Sequence, residues 1–254
     1  MGGALSANPV IHYHGMPINP QTAALAAVGG RHAFVSFEDT HPLGLVVDAC
    51  QSFAIDNGAF SAWRAGRPVQ DWSAFYEWAI MCQRIPSCDF AVIPDVIDGS
   101  EEDNDALLRD CPLPKYWAAP VWHMHESMDR LVRLATDYPR ICLGSSGDYA
   151  VIGTQAWWTR MATAMDAVCD ADGRPMVKMH GLRMLDVEVF TRLPLASADS
   201  TNVARNIGID SRWTGAYSPP TKESRATLIR QRIEAVNAPP VWTRGPVQQD
   251  IFGV

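Results

Sequence analysis

The sequence predicts an α/β protein, a single (β/α)8 TIM barrel spanning residues 1–254, on three observations. Eight short apolar runs recur along the chain, each about the length of a buried parallel strand. The stretches between them repeat apolar residues every three or four positions, the period of an amphipathic helix. No linker-like or low-complexity segment divides the chain. Regular alternation of strand and helix over about 250 residues calls for a parallel sheet covered by helices, and eight repeats are enough to close it. The competing doubly wound open sheet would carry a Gly-rich phosphate loop after a strand, and none is present.

In order, the expected strands are Val10–His14, Ala33–Phe37, Phe53–Ile55, Phe90–Pro94, Ala118–Trp122, Ile141–Leu143, Met176–Met179 and Pro194–Ala198. Between them, Trp72, Phe75, Tyr76, Ala79 and Ile80 fall on one helical face, as do Met128, Leu131, Val132 and Ala135. Ala156–Val168 and Thr221–Val236 also read as helices, the second opening on Thr221 as a cap after Pro219-Pro220. Residues 212–254 form a C-terminal helix and tail.

With 47% hydrophobic residues, the 254-residue chain can bury a large core. No apolar run nears the roughly 20 residues that cross a bilayer, and the N-terminus lacks the form of a secretion signal. The expected location is the cytoplasm (a host's, if the gene is phage-borne). Six cysteines, at 50, 82, 88, 111, 142 and 169, form no CxxC or CxC pair and are expected as reduced thiols. No cofactor or metal centre is expected. The net charge of −7 argues against a general polyanion binder. Residues 205–254 nevertheless hold seven basic against four acidic groups, +3, leaving −10 for the rest. That basic segment could meet phosphates.

In a (β/α)8 barrel, chemistry gathers at the C-terminal strand ends. Those ends carry His12 and His14, Glu38 and Asp39, Asp56, Asp95 and Asp98, His123 and His125, Ser145 and Ser146, His180, and Asp199. Carboxylates there can act as nucleophile, general acid or base-reading acceptor.

Asp56-Asn57-Gly58-Ala59-Phe60 resembles the Asp-Ser-Gly-Gly-Phe motif of tRNA-guanine transglycosylases. Ile93-Pro94-Asp95 resembles their base-recognising step, and Leu143-Gly144-Ser145-Ser146-Gly147 is similar to their Gly-rich loop. Asp199, followed by Ala204-Arg205-Asn206, resembles the segment carrying their nucleophile. The short length and the opening His12-Tyr13-His14-Gly15 look closer to the bacteriophage DpdA-like branch, which inserts 7-deazaguanines into DNA. The resemblance spans roughly residues 10–210.

It implies a pentosyltransferase that exchanges guanine for a 7-deazaguanine, such as preQ0 or a relative, at an N-glycosidic bond. Asp199 would attack C1′ and Asp56 would act as general acid/base. Asp95 would accept hydrogen bonds from the Watson–Crick edge of guanine, and Phe60 would stack on the ring. Gly144 and Ser145 amides would meet O6, Asn57, His14, His123 and His180 would complete the pocket, and Arg205 would hold a flanking phosphate. The tRNA enzymes add a zinc subdomain of three cysteines and one histidine after the last strand. Residues 200–254 contain neither Cys nor His, so the implied partner is DNA more than tRNA. Pairing with a second copy is left open.

Two other classes remain. His12 and His14, with His123, His180 and Asp199, resemble a metal-dependent amidohydrolase, because alternate strand residues share a face and HxH can grip one ion. An inert barrel that only binds a nucleobase is the other, and three separate strand-end carboxylates argue against it, since each costs desolvation.

Overall fold

The computed structural model describes residues 9–208, 213 and 217–244. The expected 212–254 tail is therefore described only in part; Arg212, Asp210 and Asp250, used in the charge balance above, lie outside the described residues. The strands are β1 (Ile11–Gly15), β2 (His32–Ser36), β3 (Ser52–Asp56), β4 (Cys88–Val92), β5 (Ala118–Ala119), β6 (Val121–His123), β7 (Arg140–Gly144), β8 (Lys178–Gly181) and β9 (Ser197–Ser200). The helices between them are α1 (Gln21–Val28), α2 (Leu43–Ala49), α3 (Ala59–Arg64), α4 (Ser73–Gln83), α5 (Glu101–Arg109), α6 (Met128–Asp137), α7 (Gln155–Val168) and α8 (Val187–Phe190). After β9 come α9 (Asn202–Asn206) and α10 (Lys222–Glu234).

All strand pairs are parallel, in the order β5-β4-β3-β2-β1-β9-β8-β7-β6, a nearly closed, barrel-like sheet of nine strands. The chain's first and last strands meet inside the sheet, with Tyr13 opposite Asp199. The two ends of the sheet, β5 and β6, are consecutive in the chain and parted only by Pro120. Proline has no N–H for a ladder, which breaks the expected Ala118–Trp122 strand into two pieces. Its carbonyl still accepts from Cys142 N at 2.8 Å, tying the seam to β7.

Both faces of the strands are buried, so apolar runs replace simple alternation. Tyr13, Phe34, Ala54, Phe90, Val92, Ala119, Val121 and Cys142 form an inner cluster enclosed by the sheet. Their neighbours, such as Phe53, Ile55, Ile141, Leu143, Met179 and Ala198, pack outward against the helices. Several helix starts carry side-chain caps: Ser100 and Asp103 form a capping box on α5, Thr221 and Ser224 one on α10, and Thr154 caps α7. Helix α10 packs on α1 and α9, and buried Arg225 fixes its start by donating to the Ile207 and Pro219 carbonyls at 2.6 and 2.8 Å.

The six cysteines are free, four of them buried. Among the described residues, no helix is long and apolar enough to cross a membrane.

Candidate active site

A cavity of about 300 Å³ opens at the C-terminal ends of the strands. Asp56, Asp95 and Asp199 line it from β3, the loop after β4, and β9, and three arginines, Arg64, Arg183 and Arg205, line it too.

Asp56 ends β3. Its Oδ2 accepts from Gly58 N at 3.1 Å and from Ser36 Oγ at 3.4 Å. Gly58 turns the chain with φ +81°, and a Cβ there would stand 2.8 Å from Glu38 Cγ, so glycine is required on both counts. Burial pushes the Asp56 carboxyl up to about 7, helped by the charges of Asp199 and Asp95 and opposed by the Gly58 and Ser36 hydrogen bonds. A carboxyl that titrates near neutrality can give a proton and take it back.

Asn57 is buried and joins two loops. Its amide donates to Ile93 O at 2.8 Å and to Asp95 Oδ1 at 2.9 Å, while its oxygen accepts from Ala59 N at 2.7 Å. The other oxygen of Asp95 lies 2.9 Å from His123 Nε2, off the hydrogen-bonding line. His123 is itself anchored, its backbone N–H donating 2.8 Å to Glu126 Oε2, and Glu126 is neutralised by Arg130 at 2.6 Å. A Cβ on Gly144 would come within 3.1 Å of Val121 Cγ1 and 3.3 Å of His123 Nδ1, so glycine there leaves room for the imidazole.

Asp199 is buried on β9 with its carboxylate toward the cavity. Oδ1 accepts from the backbone N–H of Arg183 at 2.9 Å and lies 3.3 Å from His180 Nε2. Oδ2 takes no hydrogen bond from the described residues. His180 lies beneath, packed against Phe34, Phe90 and Tyr13. Burial lowers its pKa, against the pull of Asp199, and the ring is neutral at pH 7. Arg140 donates to Ser197 Oγ at 3.1 Å, and Ser197 Oγ lies 2.9 Å from His180 Nδ1. With the serine hydroxyl donating to Nδ1, the ring proton stays on Nε2, on the side of the carboxylate but off the hydrogen-bonding line. The other tautomer would set a lone pair against it.

Phe60, on α3, lines the cavity, and the Arg183 guanidinium lies 4.0 Å over its ring. The face expected to stack on a base thus carries an arginine. Arg183 Nη2 also donates to Ser145 O at 3.2 Å, so one side chain after β8 touches groups that follow β3 and β7. Ser145 Oγ accepts from Trp157 Nε1 at 2.9 Å. Gly144, Ser145 and Arg205 line the cavity too.

The histidines divide differently from that expectation. His14 does not line the cavity; it faces outward, 3.1 Å from Glu234 of α10. His12 also faces out, its Nε2 3.2 Å from Val236 O. His180 is near Asp199 but below the cavity wall. The HxH pair of the amidohydrolase alternative therefore points to the helix layer while His123, His180 and Asp199 point inward. No group of three or more His, Cys, Asp or Glu among the described residues is placed to hold a metal ion.

Three of the six described basic residues in the C-terminal segment are committed internally as well. Arg225 is buried, Arg230 is 3.8 Å from Glu234, and Arg244 is 3.3 Å from Asp166. Arg205 alone of its described members lines the cavity.

Sequence reasoning missed Arg183, Arg64 and Ser36. Leu182-Arg183 lies past the end of the expected Met176–Met179 strand, and nothing in its composition marks it. No protein-family model and no curated protein matches the chain.

Proposed function

We propose that the chain is a (β/α)8 transglycosylase that exchanges guanine in nucleic acid, DNA in the first place, for a 7-deazaguanine base. Taking β5 and β6 as one strand broken at Pro120 yields the eight strands of that barrel. The observation that carries the reading is the convergence of Asp56, Asp95 and Asp199 on one cavity, with Asp56 pushed up to about 7. A site with one carboxyl held for proton transfer and another with an open oxygen suits a double displacement at a sugar carbon.

In the first half, Asp199 Oδ2 attacks C1′ and the C1′–N9 bond breaks. The bonding pair goes to the purine, and Asp56 supplies its proton. The incoming base then attacks C1′ through N9, the aspartyl–sugar bond breaks, and Asp56 takes the proton back. Two inversions leave the sugar configuration retained. Asp95, held by Asn57, faces the donor edge of guanine. His180, neutral, lies beneath Asp199 without adding charge. A duplex must extrude its nucleotide to reach the cavity, at a few kcal/mol.

The test is transfer of labelled guanine into DNA and into tRNA, with wild type and Asp199→Asn. Incorporation by the wild type, lost in the variant, supports the reading. No incorporation into either polymer, or equal rates for the two proteins, overturns it.

A further inference from the structure

Arg183 is the one non-glycine residue with positive φ among the described residues, at 60°. Such a conformation is unfavourable for an L side chain and persists where surrounding contacts impose it. Three contacts impose it here: the backbone N–H on Asp199, Nη2 on Ser145 O, and the guanidinium on Phe60. The cation is therefore held at the cavity although its side chain remains open to solvent. A salt bridge does not account for it, since none is formed with a described residue. Ser145 O takes one of its five N–H donors, and Phe60 takes a face, which leaves edge donors for a ligand.

We infer that Arg183 is a specificity-determining residue whose guanidinium takes acceptor atoms on the edge of the base away from Asp95. The inference rests on the guanine reading above. A carboxylate, Asp95, matches the N1–H and N2–H2 donors of guanine. The opposite edge offers two acceptors, O6 and N7, spaced for the bidentate arginine contact that is the commonest specific reading of guanine. Phe60 then serves to hold the arginine, and the base lies beside the guanidinium instead of displacing it. A base with carbon in place of N7 loses half of this contact. An incoming deazaguanine must then restore an acceptor through its 7-substituent; a nitrile or carbonyl group serves, and an ammonium does not.

The test is equilibrium binding of labelled free guanine, with 7-deazaguanine and hypoxanthine as competitors, on wild type, Arg183→Lys and Arg183→Met. Hypoxanthine lacks the 2-amino group and so reports the Asp95 side alone. Wild type should prefer guanine to 7-deazaguanine by about 2- to 13-fold, half the free energy of one bidentate contact. Both variants should lose that preference while their guanine-to-hypoxanthine ratio stays at the wild-type value. Because Arg183 is exposed, both should fold, and unchanged thermal midpoints check this. Guanine bound by wild type without discrimination at position 7, or discrimination surviving in Arg183→Met, overturns the role of Arg183 alone. Absence of guanine binding to wild type overturns this inference and the guanine reading together.

Discussion

The two ends of the barrel hold the same kinds of side chain and arrange them in opposite ways. At the N-terminal end, Asp89 Oδ2 accepts from Tyr13 OH and from Ser52 Oγ at 2.5 Å, and His32 Nδ1 lies 2.8 Å from the same hydroxyl. Burial and the neighbouring Asp89 raise the Tyr13 pKa well above its ordinary value, so the phenol stays a donor. Those groups are spent on each other. At the mouth, Asp56 and Asp95 are held from behind, Asp199 keeps one oxygen open, and Arg183 keeps free donors. Polar residues inside a barrel therefore do not mark a site by their type; the directions left unsatisfied mark it.

The largest effect expected from breaking this contrast is at Asp199. Asp199→Asn keeps the Arg183 N–H bond but removes the proposed nucleophile, and exchange should fall by at least about 10³-fold. Denaturing electrophoresis with labelled DNA should show a covalent adduct for wild type and none for the variant. Adduct formation by Asp199→Asn would transfer the nucleophile's role elsewhere.

Asp56→Asn should slow exchange by about 10²–10⁴-fold, the usual share of a general acid. In wild type, guanine expulsion should decline as pH rises through about 7, because the proton donor is lost, and the variant should lack that limb. Stability supplies an independent reading. The folded pKa lies above the ordinary value of 3.8, so this group's contribution is full below about 4 and is lost as pH rises to about 7. Asp56→Asn should match wild type near pH 4 and exceed it near pH 8, by about 4 kcal/mol at most. Denaturant melts at the two pH values measure this; a constant difference would mean that Asp56 is not buried as described.

Asn57→Ala removes the amide that joins the loop after β3 to Asp95 and leaves Ile93 O without its partner. A loss of about 1–3 kcal/mol is expected, together with slower exchange, because Asp95 is no longer held. At the other end, Tyr13→Phe should cost about 1 kcal/mol by removing one of the two hydroxyls that donate to Asp89, with exchange per folded molecule little changed. A large catalytic effect there would erase the distinction between the two ends.

All the strand segments were legible in the apolar runs, within two or three residues. The shifts run both ways. β8 continues through His180 and β9 through Asp199, because the mouth of the barrel tolerates polar groups inside the ladder, whereas β2 and β4 stop at Ser36 and Val92, short of the expected Phe37 and Pro94. The break at Pro120 was legible in principle, since a proline stood in the expected strand. Strand facing was not. Both faces are buried, so His12 and His14 on β1 looked like His123 at the end of β6, although Tyr13 between them takes the inner position. Of the site, the three carboxylates, Asn57 and the Gly144 turn could be read from their motifs. Arg183 could not, because its importance comes from a backbone conformation and from contacts with residues 60, 145 and 199.

The column Arg140–Ser197–His180–Asp199 runs along the barrel axis from the start of β7 to the mouth. Arg140 can only donate, so Ser197 Oγ accepts from it and has its own hydrogen to offer His180 Nδ1. His180 Nε2 then lies 3.3 Å from Asp199, outside hydrogen-bonding geometry. A continuous line of polar contacts thus joins the mouth to a side chain lying over Phe90. The sheet interior does more than fill space: a change at Arg140, remote from the cavity, would alter the surroundings of the ring beneath Asp199.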